Sequence, residues 1–199
     1  MKQLFNILIF VIALNAVASS TAQGAGPAIT TLKADFVMTR KISVLKAPLT
    51  STGKVMLAGA GRLRFETLSP SRSVIVINEN KGWLHYPELG VTKQFDLSTD
   101  PVMRLMSEQL AALTSGNFAA LEKTYTITDS AAGKKSLVPT APGIKKLFKV
   151  LTVNMTSSGA VSMVEMVSAN GDITTIRFEN TVFNATLPSA SFDTPKAQK

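Results

Sequence analysis

The chain has 199 residues, with 21 Lys plus Arg against 13 Asp plus Glu, one His and no Cys, for a formal net charge of +8. The absence of cysteine excludes a disulfide framework, a thiolate metal site, a cysteine nucleophile and lipid attachment through cysteine, and one histidine leaves almost nothing for a histidine metal site. At 45% apolar and 17% charged residues the chain is too hydrophobic for disorder, and its length fits a single domain.

The N-terminus reads as an export signal. Met1-Lys2-Gln3 is a short positive segment, residues 4–14 are apolar except for Asn6, and small residues follow at Ala16-Val17-Ala18 and Ser20-Thr21-Ala22. This tripartite pattern predicts a secretory signal peptide over residues 1–22, cut after Ala18 or Ala22. The apolar run is shorter than the ~20 residues that span a membrane. The expectation is one domain over residues 23–199 that works outside the cytoplasm.

Ala28 to Asp35 is predicted to hold a short helix, because Ile29, Leu32 and Phe36 fall at helical spacing. A strand follows over residues 36–45 and ends before Pro48, and another is expected from Gly53 to Ala58. Arg62-Leu63-Arg64-Phe65-Glu66-Thr67 alternates cleanly, with Leu63 and Phe65 on one face and the charges on the other, as a half-buried strand does. Val74-Ile75-Val76-Ile77, Trp83-Leu84-His85-Tyr86 and Val91-Thr92-Lys93-Gln94-Phe95 complete a six-stranded meander.

The period then changes. Asp100 is a good N-cap and Pro101 suits the first helical position. Val102, Leu105, Met106, Gln109, Leu110 and Leu113 follow at spacings of three and four, up to Ser115-Gly116. An amphipathic helix is predicted there, with a second short one from Asn117 carrying Phe118 and Leu121. Strands resume over residues 125–128, 136–138, 147–155, 161–167 and 173–178, with a hairpin signal at Asn170-Gly171. The C-terminal tail is expected as coil with one edge strand.

Little in the chain is reactive. His85 stands mid-strand without a nucleophile elbow or a second histidine, and the carboxylates are scattered. Gly59-Ala60-Gly61 lacks the lysine and helix of a phosphate loop. The basic residues form pairs rather than one stripe, which fits a solvated sheet surface or weak steering toward anionic membranes or an acidic partner. An exported protein has no evident nucleic-acid partner. Seven methionines follow the signal segment, at positions 38, 56, 103, 106, 155, 163 and 166. Such adaptable thioethers suit ordinary core filling or a pocket for flexible apolar ligands.

The order of parts resembles the periplasmic lipoprotein-carrier (LolA) family. The resemblance rests on Ala34-Asp35-Phe36-Val37-Met38-Thr39, on Gly53-Lys54-Val55-Met56-Leu57, and on Arg62-Leu63-Arg64-Phe65-Glu66 followed by Pro70. The apolar run at 74–77, the turn into Trp83-Leu84-His85-Tyr86, and Ile176-Arg177-Phe178 with Leu187-Pro188 and Phe192 extend it over nearly all of the chain after the signal. It implies a mainly β fold with helices: a strongly curved, half-open antiparallel β-barrel with an α-helical lid over an apolar concavity.

The resemblance also implies a function. Family members shelter the acyl chains of lipoproteins crossing the periplasm, taking cargo from an inner-membrane ABC transporter and passing it to an outer-membrane receptor lipoprotein. The expectation is therefore a monomeric, non-enzymatic carrier without cofactor or metal. Inward candidates are Val55, Leu57, Leu63, Phe65, Val76, Trp83, Ile176 and Phe178, with Val102, Leu105, Met106 and Leu110 from the lid. Many members carry an Arg-Pro pair after the strand led here by Gly53, and that Arg helps hold the lid and couples release to transfer. Here Gly59-Ala60 takes that place, with Arg62 nearby. The 110–123 segment is more like a divergent branch, so the alternatives are a shuttle for another lipid, glycolipid or polyene pigment, or an envelope lipid-sensing module.

Overall fold

The structure, a computed structural model, describes residues 30–59, 61–99, 121–130, 133–157 and 160–195. Two meanders share one sheet. The first comprises β1 (Thr31–Lys41), β2 (Leu49–Ala58), β3 (Arg62–Ser69), β4 (Ser73–Asn78), β5 (Lys81–Tyr86) and β6 (Val91–Asp96). The second comprises β7 (Tyr125–Ser130), β8 (Lys134–Pro139), β9 (Phe148–Met155), β10 (Val161–Ser168) and β11 (Ile173–Phe183). One short helix, α1 (Pro142–Lys145), joins β8 to β9.

The strand order is β6-β5-β4-β3-β2-β1-β11-β10-β9-β8-β7, and every neighbouring pair is antiparallel. The first and last strands of the chain therefore pair at the centre, Phe36 opposite Phe178 and Met38 opposite Ile176. The outermost strands, β6 and β7, do not pair with each other, so the curved sheet stays open.

Burial follows the period-2 rule wherever one face is wet. In β3, Leu63 and Phe65 are buried while Arg62 is exposed and Arg64 and Glu66 are half-buried. In β4 the rule gives no signal: all residues from Ser73 to Ile77 are buried. That strand is covered on both faces, by the main core on one side and the C-terminal tail on the other.

The expected helix over residues 28–35 is not found from Thr31 onward, where β1 begins; residues 28 and 29 lie outside the described residues. Leu32 and Phe36 do sit four apart, but Leu32, Ala34, Phe36 and Met38 also alternate, and all four are buried. Both backbone edges of this segment pair, with β2 and with β11, and that ladder overrides the local helical spacing. β1 also stops at Lys41 rather than at 45.

The Asn170-Gly171 turn is present, with Gly171 at φ +91° and its N–H donating to Ser168 O at 2.9 Å. In place of an edge strand the described tail has a single-turn 3-10 helix, Ser189–Phe192. The predicted helix from Asp100 and the start of the second at Asn117 and Phe118 lie outside the described residues, as do lid candidates Val102, Leu105, Met106 and Leu110.

Candidate functional site: the apolar inner face of the sheet

One face of the sheet carries a continuous apolar surface. Register aligns its side chains in rows that cross the strands. Leu32, Leu57, Leu63 and Ile77 form one row; Ala34, Val55, Phe65, Ile75 and Leu84 form the next. Across the β1–β11 seam the surface continues through Phe178 and Ile176 into Val164 and Met166 of β10 and Leu151 and Val153 of β9.

Six of the eight predicted strand positions belong to this surface: Val55, Leu57, Leu63, Phe65, Ile176 and Phe178, all between 0% and 8% exposed. Val76 and Trp83 do not. They pair with each other across β4 and β5, and Val76 pairs with Arg64, so they share the outer face with the charged side of β3. There they cluster with Ala58, Val74 and Phe192. The expectation for these two is corrected: the run Val74-Ile75-Val76-Ile77 has no polar residue to mark its outer face, and Trp83 is shielded outside by the tail rather than by the core.

Sequence reasoning did not name the other inner-face residues as inward candidates, among them Leu32, Ala34, Phe36, Ile75, Ile77 and Leu84. The alternation of Leu32, Ala34, Phe36 and Met38 was the available signal. The Phe36 and Phe65 rings stack at 4.3 Å between centroids, 18° from coplanar. Phe36 lies on β1 and Phe65 on β3, so the contact bridges the intervening β2. It does so at Gly53: a Cβ there would lie 2.4 Å from Phe36 Cζ. Gly82 repeats the device, since a Cβ would fall 2.0 Å from Phe95 Cε2. Of the methionines, Met38 and Met166 belong to this core, Met155 packs beside it, and Met56 packs on the outer cluster.

The inner face is chemically plain. The buried polar residues of the described chain are Thr67, Ser73, His85 and Thr174, and none is charged at an inner position. Such a surface offers dispersion and exclusion of water, and no acid, base or nucleophile in an array. Among the described residues no group of three or more His, Asp or Glu is placed to hold a metal ion.

The polar chemistry sits on the other face. Glu66 takes Arg64 at 2.9 Å and Arg72 at 3.1 Å. These three line a cleft of about 330 Å³ with Val74, His85, Pro87 and tail residues Ala190, Asp193, Thr194 and Pro195. His85 is buried, and its Nδ1 lies 2.8 Å from Thr92 Oγ1. The tail is held over this face by Arg64 Nη1 donating to Ser191 O at 3.4 Å and by Arg62 stacked 5.5 Å above the Phe192 ring. Arg62 is thus occupied with the tail. Gly59, which stands where the resemblance implies an Arg-Pro pair, has φ +56°.

Comparison with known proteins matches this arrangement. The family described as "Outer membrane lipoprotein carrier protein LolA" matches residues 28–195. An outer-membrane lipoprotein carrier protein of Dechloromonas aromatica is 30% identical over 170 residues, covering 84% of this chain and 78% of its own. One from Coxiella burnetii is 26% identical over 145 residues, covering 72% and 66%. Among solved structures, an uncharacterized conserved protein from Thermus thermophilus has a TM-score of 0.52 at 13% identity, covering 97% of this chain and 96% of its own. An open antiparallel sheet with an apolar inner face, matched over this length, places the chain in the LolA family of outer-membrane lipoprotein carrier proteins.

Proposed function

We propose that the protein is a non-enzymatic periplasmic carrier whose inner face shelters the acyl chains of lipoproteins on their way to the outer membrane. The observation that carries this reading is the apolar surface running from β5 through the β1–β11 seam to β9, in which no described residue buries a charged side chain. The carrier names of the family and its relatives support it.

Transfer of an acyl chain from water to such a surface is favourable by about 0.8 kcal/mol per methylene, on the order of 10 kcal/mol for a long chain. That is enough to hold cargo in solution. In the present conformation the inner side chains are excluded from water, so loading requires this face to open first. The donor and acceptor in this reading are an inner-membrane ABC transporter and an outer-membrane receptor lipoprotein, and the signal-like residues 1–22 supply export.

The test is to purify the protein from the envelope of cells that make it and identify bound species by mass spectrometry. Acylated polypeptide is the expected result, lost in Phe65→Asp. A free glycolipid or pigment instead selects the alternative cargo, and a protein that binds no acyl compound, either native or as added probe, contradicts the carrier reading.

A further inference from the structure

We propose that one end of the sheet docks directly on an anionic lipid surface. Strands β1, β3, β5, β8 and β10 all finish at this end, so it carries the connections 42–48, 70–72, 87–90, 140–147 and 169–172. The large apolar side chains that the described structure leaves exposed gather here. Val44, at 85% exposed, Leu45 and Leu49 lie on the first connection or at its edge, Leu68 before the second, and Leu89, at 72%, and Val91 on the third. Val138 adds one more from the end of β8, whereas among the described residues only Val182 is exposed in this way at the opposite end. Exposed apolar residues scattered singly need no explanation; gathered at one end, they mark an interaction surface.

Charge gives the partner's chemistry. Lys41, Lys46, Lys145, Lys146 and Lys149 are exposed at the same end. Three acids accompany them: Glu88, whose carboxylate accepts the Arg72 N–H, Asp172, which accepts the Ser43 N–H, and exposed Glu122, which stands beside exposed Lys123 ahead of β7. The first connection shows the pattern in miniature, with Val44-Leu45 set between Lys41 and Lys46. Apolar tips that enter the headgroup region while lysines stay at the phosphate level form an interfacial anchor. The tips come from separate connections across six neighbouring strands, an array suited to a broad fluid surface rather than to one peptide side chain. These residues are distinct from the inner face, so the proposal stands or falls apart from the carrier reading.

The test is sedimentation of the cargo-free full chain with phosphatidylcholine vesicles, with and without phosphatidylglycerol. Binding is expected only to the vesicles containing phosphatidylglycerol. A lysine near an anionic surface contributes a factor of about five, so Lys41→Gln with Lys46→Gln lowers the partition coefficient about 25-fold. Val44→Asp with Leu89→Asp removes binding, and Val182→Asp leaves it unchanged; all of these positions are exposed, and circular dichroism is expected to show each variant folded. Equal partition into both vesicle types, no partition into either, or an equal loss in Val182→Asp overturns the proposal, and sedimentation without acyl-probe binding would separate it from the carrier function.

Discussion

Phe36 on β1 and Phe65 on β3 stack across the strand between them, because Gly53 on β2 leaves the space that a side chain would fill. A Cβ at Gly53 would also lie 2.1 Å from the backbone oxygen of Glu66, an atom that cannot rotate away. Gly53→Ala is expected to destabilise the protein by about 3 kcal/mol, the upper range for overpacking a core, and to lower the urea midpoint accordingly. An unchanged midpoint would show that the stack is incidental to the inner face.

The tail is a structural part of the outer face. Phe192 is 1% exposed among Ala58, Val74 and Val76, with Trp83 packed against the same cluster. Phe192→Ala should cost about 3 kcal/mol by the usual cavity scale for a buried Phe. Trp83 is the only tryptophan, so its emission should shift to the red in the same variant. Acyl-probe binding should persist, since the two faces are separate; loss of binding without unfolding would show that they are coupled.

Acid should loosen the join between the β1–β2 connection and the β10–β11 turn. Asp172 Oδ1 accepts the Ser43 N–H at 2.9 Å, and Oδ2 accepts from Asn170 Nδ2 at 2.8 Å. These hydrogen bonds, the one from Ser43 first, hold its carboxyl below the ordinary value of 3.8. A carboxyl lowered in the fold stabilises the fold above its unfolded value, and that contribution is lost as pH falls through the folded value. The Ser43 amide resonance should therefore titrate with a midpoint below 3.8, and Asp172→Asn should abolish the titration. A midpoint at or above 3.8 contradicts the link.

Loading should be limited by opening. The inner side chains are excluded from water, so the observed rate of fluorescent fatty-acid binding should level off as probe concentration rises. A rate that stays linear to the diffusion limit would mean that the inner face is open at rest.

The inner face was legible in the sequence where a strand has one wet side. Arg62, Arg64 and Glu66 mark the outside of β3 and so place Leu63 and Phe65 within. Residues 74–77 lack such marks because Phe192, more than a hundred positions away, covers their outer side. No local pattern distinguishes Val76 from Ile75 or Ile77, and Trp83 follows Val76 to the outside through their pairing. Residues 31–35 failed for the opposite reason: local spacing suggested a helix, while pairing on both edges with β2 and β11 settled a strand. Family resemblance supplied the curvature and openness of the sheet, which alternation alone does not encode.

The most direct test of the central claim is photocrosslinking with an acyl chain that carries a diazirine near its methyl end, followed by residue-level mapping of the adducts. The account predicts adducts on Leu57, Leu63, Phe65, Ile176 and Phe178, and none on Val76 or Trp83. Adducts concentrated on Val76 and Trp83, or no adducts on the inner face, would contradict it.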